Sequence, residues 1–140
     1  MEPSLREQAR LRAHGRCEYC RIPEFLVRLP FQIDHIIAKQ HGGETRLSNS
    51  SYCCMPCNKN KGPNLSGRDP KTKKIVPLFH PRRHKWDRHF RRDGPYIHGR
   101  TPKGRATVLV LNMNAPVYVA VRQALIEEGV FPERPRRAFR

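Results

Sequence analysis

In the stretch FQIDHIIAKQHGG, residues 31–43, an apolar run stops to place Asp34 and His35 side by side. An acid and an imidazole are costly to bury as neighbours unless they pair or hold a metal ion. Two cysteine pairs flank them. CEYC supplies Cys17 and Cys20, and CMPC supplies Cys54 and Cys57. Four thiolates in two short knuckles match the donor set and tetrahedral preference of zinc. Cys53 is left over and reads as a small buried residue. Its exchange for Cys54 as a ligand is the alternative; Cys54 is preferred because it repeats the spacing of the first pair.

These groups need elements to carry them. Ser4 with Glu7 three residues on is a capping box, so SLREQARLRAHG predicts a helix ending at Gly15. Residues 22–29, bracketed by Pro23 and Pro30, predict a short irregular or helical link. Residues 31–37 predict a strand, and Gly42-Gly43 a turn. Successive strand residues point to opposite faces. Asp34 and His35 therefore share a site only if the strand ends or twists there. RLSNSSYCC predicts a short turn or helix start and then a short strand, and NKNKG the start of a helix closed by Gly62-Pro63. LSGRDPKTKKIVPLF predicts a hairpin turning at residues 69–72.

From Leu78 the chain changes character. HPRRHKWDRHFRR is densely basic with interleaved aromatics, and YIHGRT predicts a strand. Thr101 before Pro102 is an N-cap followed by proline at the first helical position. Two helices follow, parted near Asn114-Ala115. Val108, Leu111, Val117, Val121 and Leu125 are spaced to pack on the domain. Tyr19 and Trp86 read as packing residues. His14, His41, His80, His84, His89 and His98 read as surface or phosphate-facing groups. The basic, proline-rich end FPERPRRAFR predicts fraying.

Charge narrows the partners. Lys and Arg number 28 against 12 Asp and Glu, a formal net charge of +16 over 140 residues. Such a chain repels itself unless it meets a polyanion, and nucleic acid leads, because lysines and arginines gain affinity by releasing phosphate counterions. No apolar run has transmembrane length, no helix has a clean basic amphipathic face, and the N-terminus lacks a signal-peptide core. A membrane partner is not expected. A reducing, cytoplasmic location is.

Taken in order, CEYC, IDHIIAKQHGG, Asn49 in RLSNSS, and CMPCNKNK resemble the HNH endonucleases, in the zinc-knuckle branch of the ββα-metal nucleases. The resemblance covers about residues 15–63. The segment beyond is similar, more softly, to the tail of stand-alone bacterial HNH proteins. Asn58 stands where the family name has its third histidine. Its amide oxygen with Asp34 favours a hard cation, Mg²⁺ or Mn²⁺, over zinc at that place. The resemblance implies His35 as general base, Asp34 and Asn58 as ligands of the catalytic ion, and Asn49 as the group that fixes the backbone and ring of His35. Lys61, three residues after Asn58, shares its helix face and is placed on a flanking phosphate. Arg82, Arg83, Arg91 and Arg92 are the expected arm on the nucleic acid. Read singly, His35 could merely cap a buried aspartate, Asn49 could be a turn residue and Asn58 an N-cap.

The expected architecture is α+β, a small ββα-metal core with a four-cysteine zinc site and a helical C-terminal extension. Residues 1–77 are expected to form the nuclease domain, and residues 78–140 a basic extension packed on the same domain. The expected activity is metal-dependent hydrolysis of DNA phosphodiesters, with structural Zn²⁺ and catalytic Mg²⁺ or Mn²⁺. A non-catalytic zinc-knuckle nucleic-acid binder is the alternative, and RNA is not excluded as a partner.

Overall fold

A computed structural model describes residues 2–132. Among them run five α-helices and six short strands, paired two by two into separate antiparallel ladders. The expected frayed end lies outside the described residues from position 133 on. The arrangement is the small α+β class that the sequence predicts.

Helix α1 (Leu5–Arg12) starts where expected, because the Ser4 hydroxyl accepts the Glu7 N–H at 3.1 Å. Glu7 does not close the box; its carboxylate turns to Arg10 instead. The first knuckle follows, then a 3₁₀ turn at Glu24–Leu26. Strand β1 (Gln32–His35) pairs with β2 (Ser50–Cys53) in a register that sets Asp34 opposite Ser51 and His35 opposite Ser50. The predicted strand over residues 31–37 is thus shorter and stops at His35. Between the two strands Gly42 takes φ +85 to end a 3₁₀ turn, and a Cβ on Gly43 would lie 1.7 Å from the Ile37 carbonyl oxygen. Only glycines allow the loop to fold back this tightly.

Helix α2 (Met55–Lys61) begins inside the second knuckle, with Cys54 at its N-cap. Asn58 therefore sits within the helix, which removes the reading of Asn58 as a cap. Strands β3 (Ser66–Arg68) and β4 (Ile75–Pro77) form the predicted hairpin. Asp69 shapes its turn, accepting from Lys71 N–H and Thr72 N–H, and its carboxylate takes both Nε and Nη2 of Arg105.

The basic segment holds more structure than its composition suggests: helix α3 (Trp86–His89) runs directly into strand β5 (Phe90–Asp93), which pairs with β6 (Tyr96–Gly99). Helix α4 (Pro102–Val110) is capped by Thr101, whose hydroxyl accepts the Gly104 N–H at 3.0 Å. Helix α5 (Pro116–Glu127) is anchored by buried Arg122, which donates to the carbonyls of Pro95 and Met113. Its apolar spacing misleads at two positions: Val117 and Val121 are exposed, whereas Leu111 is buried and Leu125 partly so.

One continuous core joins the knuckles to the tail. Phe79 packs edge-on against Tyr19 and Phe90, and Trp86 lies against Phe90. Tyr19 and Trp86 are buried, as packing residues should be. Trp86 Nε1–H donates to the Tyr19 carbonyl at 2.7 Å, which ties the tail to the first knuckle.

Candidate metal centre and nuclease cleft

Cys17, Cys20, Cys54 and Cys57 are all buried, and their Sγ atoms lie within 4.8 Å of one another. Cys20 and Cys54 Sγ are 3.7 Å apart. A tetrahedron with Zn–S bonds of about 2.3 Å has edges of about 3.8 Å, so the four thiols fit zinc without rearrangement. The backbone N–H groups of Tyr19 and Cys20 both point at Cys17 Sγ, at 3.4 Å. Burial alone would raise the Cys17 pKa, but hydrogen bonds from the other three thiols outweigh it and bring the pKa well down. A thiolate is therefore favoured within the cluster. Cys53 is buried at the end of β2 and stands apart from the four; burial holds its thiol protonated.

Next to this cluster, Asp34, His35 and Asn58 border a cleft of about 380 Å³, together with Lys39, Lys59 and the Gly62-Pro63 turn. Asp34 and His35 are successive residues of β1, paired opposite Ser51 and Ser50, and both border this cleft with Asn58 and Lys59 of α2.

Asp34 is buried, and its Oδ2 lies 3.1 Å from Lys61 Nζ and 3.5 Å from the Ser51 hydroxyl. Burial raises its pKa, and the Lys61 charge opposes that shift. Oδ1 makes no hydrogen bond among the described residues. Asn58 donates from Nδ2 to Gln32 Oε1, and its own amide oxygen meets no donor among the described residues. The two uncommitted oxygens form a hard donor set at one cleft and suit Mg²⁺ or Mn²⁺. His35 Nε2 meets the Thr45 hydroxyl at 2.9 Å, and Nδ1 has no partner among the described residues.

Asn49 does not touch the His35 ring, contrary to expectation. Its amide clips Ile37, accepting from N–H at 2.9 Å and donating to the carbonyl at 3.0 Å, and also donates to the Glu44 carbonyl at 2.8 Å. The clip continues the β1–β2 ladder past its last pair and pins the loop that carries Thr45. Its hold on His35 is indirect.

Lys61 cannot contact a phosphate. It is buried, and its ammonium is spent on Asp34 and on the Ile36 carbonyl at 3.2 Å. Exposed Lys59 and Lys39 border the cleft in its place. The arginine arm divides in the same way. Arg82 is paired with buried Glu18, and half-buried Arg92 lies over the Trp86 ring. Arg83 and Arg91 are exposed. Lys39 and Lys59, which border the cleft, and Thr45 and Gln32, which bond His35 and Asn58, are residues that the sequence did not mark. Lys59 alone left a signal, as the exposed neighbour of Asn58.

Residues 17–64 match the family model described as HNH endonuclease. This segment is an HNH domain. The match starts at the first zinc-knuckle cysteine and ends three residues past Lys61, so it takes in both knuckles, the whole cleft and the Asn49 clip. Residues beyond Asn64, including the entire basic tail, lie outside the match. Comparison with curated proteins and with solved structures gave no match. Among the described residues, no helix is long and apolar enough to cross a membrane.

Proposed function

We propose that the chain is a metal-dependent endonuclease that hydrolyses DNA phosphodiester bonds. The observation that carries this reading is the cleft in which Asp34, His35 and Asn58 meet beside the four-cysteine cluster. His35 serves as general base. In the tautomer whose Nε2–H donates to the Thr45 hydroxyl, the Nδ1 lone pair takes a proton from the attacking water. Asp34 Oδ1 and Asn58 Oδ1 would hold Mg²⁺ or Mn²⁺. When bound, that ion supplies charge neutralisation at the phosphate and at the leaving oxygen. Asn49 keeps the base-bearing strand end and the Thr45 loop in place, and Lys39 and Lys59 attract the phosphate backbone. Zinc at the cysteines is structural. Five unpaired cysteines suit a reducing, cytoplasmic setting.

The reading as a non-catalytic nucleic-acid binder draws on one observation, the Lys61 ammonium that occupies an Asp34 oxygen. Single-turnover cleavage at saturating DNA separates the two. With Mg²⁺ or Mn²⁺ the parent should cut, and His35→Ala should bind as tightly but cut roughly a hundred-fold more slowly. Equal cutting by His35→Ala removes His35 as base. A parent that binds and never cuts, on DNA or on RNA, leaves the binder.

A further inference from the structure

The tail and the matched segment together line a second cavity, largely apolar, that the cleft does not use. It has a volume of about 240 Å³ and lies between Ile36-Ile37 on one side and His80, Arg83, His84 and Lys103 on the other. The two isoleucines follow His35 directly, and two residues span at most about 7 Å. The cavity therefore opens beside the proposed base.

Of its polar lining, Asn64 offers an amide that both donates and accepts, Lys61 is committed to Asp34, and hydrogen bonding fixes the protons of the two imidazoles. The His80 backbone N–H donates to His84 Nδ1 at 3.0 Å, and the Arg82 N–H donates to His80 Nδ1 at 3.1 Å. An imidazole nitrogen that accepts carries no proton, so in both neutral rings the proton sits on Nε2. Burial, first, and the neighbouring cations Lys103 and Arg83 hold both rings below their ordinary pKa, which keeps them neutral. His84 Nε2 then lies 3.0 Å from Lys103 Nζ. In that tautomer both groups are donors, and neither supplies the other with an acceptor. Nearby carboxylates are committed elsewhere: Glu18 to Arg82, Asp34 to Lys61 and Asp69 to Arg105. An arrangement of facing donors and unneutralised cations is completed by an oxyanion.

We infer that Lys103, Arg83 and the Nε2–H groups of His84 and His80 form an oxyanion cradle for a backbone phosphate of the nucleic acid, adjacent to the His35 cleft. The inference rests on the nucleic-acid reading above and names the tail residues that serve it. Inorganic phosphate offers the same oxygens. The nucleic acid is preferred because His84 also borders a second groove with Lys85, Arg88 and Arg100, so the donors continue as a track suited to a chain of phosphates. Asp87 is the one carboxylate on that groove.

The test uses the full zinc-loaded chain and a short DNA duplex without added Mg²⁺ or Mn²⁺, read by fluorescence anisotropy over a salt series. Lys103→Gln should weaken binding several-fold and reduce the slope of log affinity against log salt by about one. Lys103→Arg should restore both. Lys71→Gln, which removes the same charge at the β3–β4 turn outside the cavity, should change affinity less. Unchanged thermal midpoints establish that each variant is folded. In ¹⁵N spectra the duplex should move the His84 Nε2 signal. The cradle is overturned if Lys103→Gln binds like the parent, or no more weakly than Lys71→Gln. It is also overturned if millimolar inorganic phosphate moves His84 and the duplex does not, because the site then serves a free anion. Since binding is read without cleavage, loss of the cradle would leave the nuclease reading standing, and a parent that never cuts would leave the cradle standing.

Discussion

Lys61 brings a full charge into the interior, where only Asp34 and three backbone carbonyls receive it. Its removal strands a buried carboxylate. Lys61→Met should therefore cost about 3–5 kcal/mol in urea unfolding. Asp34→Asn combined with Lys61→Met should cost clearly less than the sum of the two single changes, because the pair fails as a unit. A solvated, phosphate-facing lysine would have shifted stability by only about 0.5 kcal/mol or less. The same pair explains why His35→Ala is a cleaner probe of chemistry than Asp34→Ala, which would also leave Lys61 unmatched. At this scale the sequence shows residue types and helical phase: Asn58 and Lys61 do share a face. It does not show what that face meets. Arg82 and Arg83 are adjacent and chemically identical, yet Glu18 captures one and leaves the other in solvent.

The elements whose signals are local were the readable ones. Ser4 and Thr101 cap their helices through hydroxyls bonded three residues on, and the β3–β4 turn is written in Asp69 and Pro70. Strand β5 was opaque, because only Phe90 of its four residues is buried and its ladder depends on a partner across a turn. The three histidines at the start of the tail, read as surface or phosphate-facing groups, carry no local signal of their burial for a similar reason. They are half-buried, and His84 and His89 pack against the Phe79 ring, one tilted and one edge-on. Burial, first, and nearby cations depress all three pKa values. A depressed imidazole pKa means that the unfolded chain binds the proton more readily. The stability contribution is complete above the unfolded value of about 6.5 and is lost as pH falls below it. The thermal midpoint should thus drop between pH 7.5 and 5.5. A His84→Gln, His89→Gln variant should show a flatter profile over the same interval. Asp69 will not mask the effect, since Arg105 holds its carboxyl well below the usual carboxylate range. An equally steep profile in the variant would place the pH sensitivity elsewhere.

At the scale of the whole molecule, metal and tail are mechanically connected. The first knuckle is gripped from two sides: Glu18 exchanges backbone and side-chain hydrogen bonds with Tyr52 in β2, and its other oxygen holds Arg82 from the tail. A domain this small gains much of its stability from such a site, and structural zinc contributes on the order of 10 kcal/mol. Cys17→Ser and Cys57→Ser should each lose zinc by elemental analysis and lose cooperative unfolding, whereas Cys53→Ser should keep the metal. A Cys17→Ser protein that retains both its zinc and its melting temperature would contradict the assignment. The cysteine spacing made the zinc site legible from the sequence; the docking of the tail on it was not, because Glu18 and Trp86 are distant in the chain and each is unremarkable alone. That docking gives the protein a built-in optical gauge. Trp86 is the sole tryptophan, it is buried, and its indole N–H is bonded to a carbonyl of the knuckle itself. Its emission should shift to longer wavelength as a chelator withdraws zinc and return when zinc is restored, so the colour of one indole reports the occupancy of a metal that is itself spectroscopically silent.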